Sequence, residues 1–209
     1  MVLTEARTNS TALVDGHALW CEPPRGSRFA PDERKVLIWS RRPWRDIDRA
    51  GADGLDSTRF IAATTETPAG PIRVLGVCVP WHMAEVTYPI EVKRRPWELH
   101  VRYLKRLETL LSDLKEPTVV AGDFNQRVPR LKYGNRAAAA ALERAFLPLN
   151  VVTVGRPQGC SRPGIDHIAL SPHLAAERVW GWPNDVTGAR LSDHDGAGCQ
   201  LAYNGREAR

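Results

Sequence analysis

Residues 117–125, Pro-Thr-Val-Val-Ala-Gly-Asp-Phe-Asn, restrict the fold more than any other stretch. Val119 and Val120 are β-branched and suit a buried strand, whose pleat packs such side chains well. Gly122 lets the backbone turn, or approach a neighbour closely, where the strand ends. Asp123 and Asn125 stand two apart, so in a continued strand both side chains leave on the same side. An ionised Asp only accepts hydrogen bonds, whereas Asn offers donors and an acceptor. That pair can hold a water beside a phosphoryl oxygen. An Asx-type turn is the other use of the same residues.

The rest of the chain supplies partners for that strand. Residues 36–40 read as a buried strand. The runs 59–65 and 72–79 flank Thr67-Pro68-Ala69-Gly70 and read as a hairpin. Residues 9–20 are expected to form a short helix and then a strand, and the proline-rich stretch 21–32 a loop. A helix is expected from Pro96, with Trp97, Val101, Leu104, Leu107, Leu111 and Leu114 on one apolar face. Glu98 and Arg102 have the spacing of a supporting ion pair on it. A second, alanine-rich helix is expected from Arg136 to about Phe146, and a strand at 151–154. Trp180 and Trp182 alternate on one strand face, which suits core packing before base stacking.

Two later blocks complete a pattern. Gly164-Ile165-Asp166-His167-Ile168 opens an apolar run, and Leu191-Ser192-Asp193-His194-Asp195 follows downstream. With Gly122-Asp123-Phe124-Asn125 in front, this order resembles the endonuclease/exonuclease/phosphatase superfamily, the deoxyribonuclease I-like enzymes, over roughly Val2 to Leu201. The resemblance implies an α/β (α+β) fold, a four-layer α/β sandwich spanning residues 1–209 as one domain. Members normally carry an earlier strand ending in a Trp-Asn pair, and the expectation here is a sandwich lacking that first strand. The resemblance also implies a Mg²⁺-assisted phosphodiesterase, with Mn²⁺ as an alternative metal. Glu5, at the end of the strand Val2-Leu3-Thr4, falls where the principal metal ligand would, and Asp193 is the second ligand. Asp123 would deprotonate water, with Asn125 fixing the water or a phosphate oxygen. His194 would donate to the phosphate and Asp166 would hold His194 in its tautomer. The residue that helps bind phosphate in related nucleases aligns with Cys78, leaving His82 to take that task; Arg127 and Arg130 follow the site closely enough to contact substrate. His167 and Asp195 should face the other way.

Composition limits the partners. The formal net charge is +5, from 29 Lys+Arg against 24 Asp+Glu, mostly arginine among the cations, which favours a polyanion without requiring one. The four cysteines are far apart with no C-x-x-C, so neither a zinc site nor a disulfide framework is indicated. No apolar run approaches the ~18 residues of a membrane span. Glu5, Arg7 and Asp15 interrupt any secretion signal, so the expected compartment is the cytoplasm. The leading expectation is an endonuclease or exonuclease with nucleic acid as substrate and no membrane partner. A phosphatase or phosphodiesterase on a small or lipid phosphate, and a catalytically dead binding module, are the alternatives.

Overall fold

The computed structural model describes residues 1–204, apart from residues 13, 27–28, 88–91, 130–134, 187 and 191. Arg130 therefore lies outside the described residues. The first half of the chain forms β1 (Val2–Arg7), β2 (His17–Trp20), β3 (Glu33–Ser40), β4 (Trp44–Asp48), β5 (Phe60–Thr67) and β6 (Gly70–Cys78). Then come α1 (Glu98–Ser112), β7 (Thr118–Asp123), α2 (Arg136–Ala145), β8 (Asn150–Val151) and β9 (Asp166–Leu170). The last strands are β10 (Leu174–Trp182), β11 (Asp185–Val186), β12 (Ala189–Arg190) and β13 (Gly196–Tyr203).

Six strands make the central sheet, in the order β4-β5-β6-β7-β9-β8. β5 and β6 are the expected hairpin, antiparallel around the Pro68-Ala69 turn. β6 and β7 are parallel, and a parallel pair needs a crossover, which α1 provides. β9 returns antiparallel to β7. Because side chains alternate across a strand, each central strand feeds two cores. Phe60, Ala62, Leu75, Val77 and Val120 face Leu104, Leu107 and Leu111 of α1 and Ala141, Leu142 and Ala145 of α2. On the opposite face, Ile61, Ala63 and Cys78 meet Val36 and Ile38 of the sheet β1-β3-β2. Ile72 and Leu170 meet Leu174 at the β10-β13 pair, with Leu201 and Tyr203 packed beside them. Burying one such leucine or isoleucine is worth about 2 kcal/mol. The layers are thus helix, sheet and sheet. Both helices pack on one face of the central sheet, so the described residues supply three layers of the expected four. Among the described residues β1 pairs with β3 alone, and β13 with β10 alone.

Several local expectations change. Among the described residues of 9–20 no helix forms: Ala12 N–H donates to Asn9 O and Val14 N–H to Thr11 O, successive turns in a stretch too short and too rich in Asn, Ser and Thr to hold a helix. α1 starts at Glu98, two residues past Pro96, because Trp97 takes a left-handed conformation at φ +70. Glu98 pairs with Arg94 at 3.1 Å instead of Arg102, and also accepts from the Arg95 N–H. The strand expected at 151–154 shrinks to β8, and Val154 is half exposed. Trp182 is likewise half exposed, lying over Gly196 at the sheet rim and outside the core. All four cysteines are free thiols. Among the described residues no helix is long and apolar enough to cross a membrane.

Gly122 shows how tightly β7 is seated. Its φ is +136, and a Cβ there would stand 2.0 Å from the backbone oxygen of Val77 on β6. Gly122→Ala must therefore distort the parallel ladder. A loss of about 3 kcal/mol in folding stability is expected, measured by urea unfolding monitored by tryptophan fluorescence.

Candidate active site

The ladder sets the site. Cys78 on β6 pairs with Asp123 on β7, and Asp123 pairs with Asp166 on β9. These three residues form one row across the sheet, and residues in a row project to the same face. Neighbouring strands lie about 5 Å apart, so two carboxylates are forced together at the rim. Asp123 is nearly buried, and burial followed by the charge of Asp166 raises its pKa to about 7. Glu5 adds to the same upward push, which puts its carboxylate within electrostatic reach.

Past Asp123 the strand stops and the chain makes the Asx turn. Asp123 Oδ1 accepts from the Asn125 backbone N–H at 2.7 Å, and Asn125 sits at φ +52. The two side chains still meet, through this turn and not through an extended strand. Asn125 Nδ2 donates to Asp123 Oδ2 at 2.7 Å and to the Val79 carbonyl at 2.8 Å. Both partners are acceptors, which fixes the amide orientation and commits both N–H groups. Only the amide oxygen remains to meet a ligand.

His194 arrives from the loop before β13. Its Nδ1 lies 2.7 Å from Asp166 Oδ2, an oxygen that is buried and has no other hydrogen-bond partner. This hydrogen bond is the main reason the ring's pKa rises to about 9, ahead of the opposing effect of burial. Nε2 lies 3.8 Å from the exposed carboxylate of Asp193. Donor atoms of Asp123, Asp166 and His194 all fall within 4.8 Å of one another. The adjacent Asp195 does turn away, as expected from its sequence position. It accepts from Ser161 N–H and Oγ–H, from Arg162 N–H and from Asn184 N–H, and so ties two loops together behind His194. His167 also faces the other side, buried with Nε2 3.0 Å from Gln126 O and Nδ1 3.2 Å from Thr153 Oγ.

Glu5 sits mid-strand in β1 at φ +51, and its Oε1 pairs with Lys35 Nζ at 2.7 Å. Lys35 is almost fully buried, also contacts Glu33 at 3.5 Å, and stands 4.8 Å from the Phe29 ring centre. Sequence reasoning missed Lys35. The available signal was a lone lysine opening the apolar run of β3, directly before Val36. His82 stacks against Trp81 and Trp97, and Arg127 is exposed with Nε donating to Pro163 O.

A divalent metal would fit this donor set. The charges of Asp166 and Glu5 both act on Asp123, and a buried Asp166 oxygen has the His194 ring beside it. Hard oxygen donors of this kind suit Mg²⁺ or Mn²⁺.

Residues 1–194 match the Endonuclease/Exonuclease/phosphatase family. The chain belongs to that family. As a member it is a metal-dependent, nuclease-like phosphoesterase, with phosphodiesterase or nuclease-type activity. No curated protein matches it. Solved structures agree on the fold. The 3′ phosphatase NExo from Neisseria, bound to a product DNA hairpin, is 17% identical with a TM-score of 0.66, over 93% of this chain and 82% of that one. The human Nocturnin catalytic domain with bound sulfate gives 18% and 0.61, over 97% and 79%. TDP2 from D. rerio, complexed with a single-strand DNA product, gives 13% and 0.63, over 96% and 84%.

Two outcomes are expected of the metal-free protein. The His194 ring should titrate near 9 by NMR, and Asp166→Asn should lower that value, since the hydrogen bond that chiefly raises it is lost while the burial that opposes it remains. Separately, Lys35→Met should tighten Mn²⁺ binding several-fold in a calorimetric titration, because the ammonium no longer competes for Glu5, whereas Glu5→Gln should weaken it.

Proposed function

We propose that the chain hydrolyses phosphodiester bonds of nucleic acid with the help of Mg²⁺, for which Mn²⁺ can substitute. The carrying observation is the His194–Asp166 pair at 2.7 Å lying directly against Asp123. Glu5 and Asp193 would hold the metal, which when bound neutralises charge on the phosphate and departing oxygen. Asp123, with a pKa of about 7, is matched to accepting a proton near neutrality. It takes one proton of the attacking water while the Asn125 amide oxygen accepts a hydrogen bond from the other. The water oxygen bonds to phosphorus, the ester P–O bond breaks, and its electron pair leaves with the departing oxygen, which is protonated from solvent. His194 is cationic at neutral pH and donates from Nε2 to a phosphate oxygen, while Asp166 holds Nδ1 and so fixes the orientation of the ring. Arg127, exposed two residues past Asn125, would contact a flanking phosphate. The DNA complexes of NExo and TDP2 support a nucleic-acid substrate.

A small phosphate ester is the second reading, and one observation favours it. A cavity of about 260 Å³ lies beside Lys35 and is lined by Arg25, Arg59 and Arg94 together with Asp56 and Glu85, a volume suited to a single phosphorylated metabolite. Supercoiled plasmid with Mg²⁺ or EDTA separates the two. Mg²⁺-dependent nicking is expected, with His194→Ala and Asp123→Asn each losing about two to four decades in rate. Near-wild-type nicking by either variant removes the assignments, and hydrolysis of small phosphate esters without nicking favours the second reading.

A further inference from the structure

Beyond the catalytic row lies an aromatic cluster that the chemistry above does not use. Two residues past Val79, whose carbonyl holds Asn125, Trp81 reaches the surface with 46% of its area exposed. Its ring stands edge-on to His82 at 5.2 Å, His82 lies 5.4 Å from Trp97 with the planes tilted by 33°, and Trp97 meets His100 at 5.0 Å. The chain of rings ends in a fixed anchor. His100 is fully buried, and burial lowers its pKa to about 4, so the ring is neutral. Nδ1–H then donates to Pro80 O at 2.7 Å, and Nε2 accepts from Gln126 Nε2–H at 2.6 Å. Gln126 follows Asn125 directly, and its other amide hydrogen goes to Ala138 O. The aromatic cluster and the Asp123–Asn125 turn are therefore pinned to one another on both sides.

Trp97 adds an independent observation. A tryptophan at φ +70 pays the steric penalty that the left-handed region imposes on a bulky side chain, and nothing in helix formation asks for it. The strained backbone donates its N–H to the His82 carbonyl at 2.7 Å and so brings the indole beneath His82. The exposed cations Lys93 and Arg95 precede it in sequence, and Arg127 is exposed two residues past Asn125. Aromatic faces interleaved with cations, joined through Val79 and His100 to the Asn125–Gln126 turn, have the chemistry of a single-strand platform.

We infer that Trp81, backed by His82 and Trp97, stacks on an unpaired base next to the scissile phosphate, so that the preferred substrate is single-stranded or frayed nucleic acid. The inference rests on the nucleic-acid reading of the site. In a closed duplex the base faces are occupied by their neighbours, and Trp81 could reach only a terminal or extruded base.

The test is anisotropy of a 5′-labelled twelve-nucleotide oligothymidylate on the full chain in EDTA, beside an abasic strand of the same length. Wild type should bind the thymidylate about tenfold more tightly than the abasic strand. Trp81→Ala should lose that tenfold on the thymidylate and change nothing on the abasic strand, while Trp81→Phe should stay within about twofold of wild type. Equal affinity of wild type for both strands, or an unchanged Kd for Trp81→Ala, overturns the platform alone. Failure of wild type to bind either strand overturns the nucleic-acid reading and the platform together. Trp81-dependent binding without Mg²⁺-dependent cleavage removes the catalytic reading and leaves the platform standing.

Discussion

Everything at the rim depends on the repulsion between two carboxylates that the strand register will not let separate. Asp123 and Asp166 are ladder partners on β7 and β9, and moving either out of the row means slipping a strand by a residue, which would turn its whole apolar set to the wrong face. The fold can relieve the repulsion only with protons or cations. Both remedies are visible: Asp123 holds its proton up to about pH 7, and a cationic His194 leans on Asp166. Lys35 of β3 does the same for Glu5 on the neighbouring strand β1. A site built this way is unstable as bare carboxylates and ready to accept positive charge, which is the condition a metal-assisted phosphoester hydrolase requires.

The register in turn depends on the hairpin and crossover that β6 joins. The parallel β6–β7 pair has no slack at Gly122, where the Val77 oxygen occupies the place of a side chain. That closeness lets Val79 N–H reach Asp123 O at 2.8 Å one step beyond the ladder. The same extension then supplies the Val79 carbonyl to Asn125. Catalytic geometry here is continuous with backbone pairing, so little of it is left to flexible side chains.

What could be read from the sequence was what local chemistry encodes. The apolar runs gave the central strands, and the leucine spacing gave the buried face of α1, because those signals lie within single elements. The Asp123, Asp166 and His194 blocks carried their own turn and strand contexts. Lys35 was only half legible: a lone lysine before Val36 stands out, but its importance comes from Glu5, thirty residues away on the neighbouring strand. The left-handed Trp97 was equally hidden: Pro96 suggested a helix start, and nothing local announces that the next residue must bend back towards His82. Residues 9–20 misled for the converse reason, with a weak helical pattern overridden by turn-forming side chains.

Asp193, His194 and Asp195 show how three consecutive residues acquire three uses. Asp195 is drawn inward by four donors; burial works against its charge, but the hydrogen bonds from Ser161, Asn184 and Arg162 outweigh it and hold its carboxyl below the ordinary range. With that carboxylate fixed, the chain just before it has little freedom, and His194 N–H closes onto Ser192 Oγ at 3.1 Å. His194 is thereby aimed at Asp166 while Asp193 is left exposed to solvent, its backbone oxygen held by the Arg162 guanidinium. A buried carboxylate that touches no substrate thus determines where the charged imidazole stands. The sequence pattern identifies the histidine, but it is Asp195, through loops 161–162 and 184, that gives it a direction.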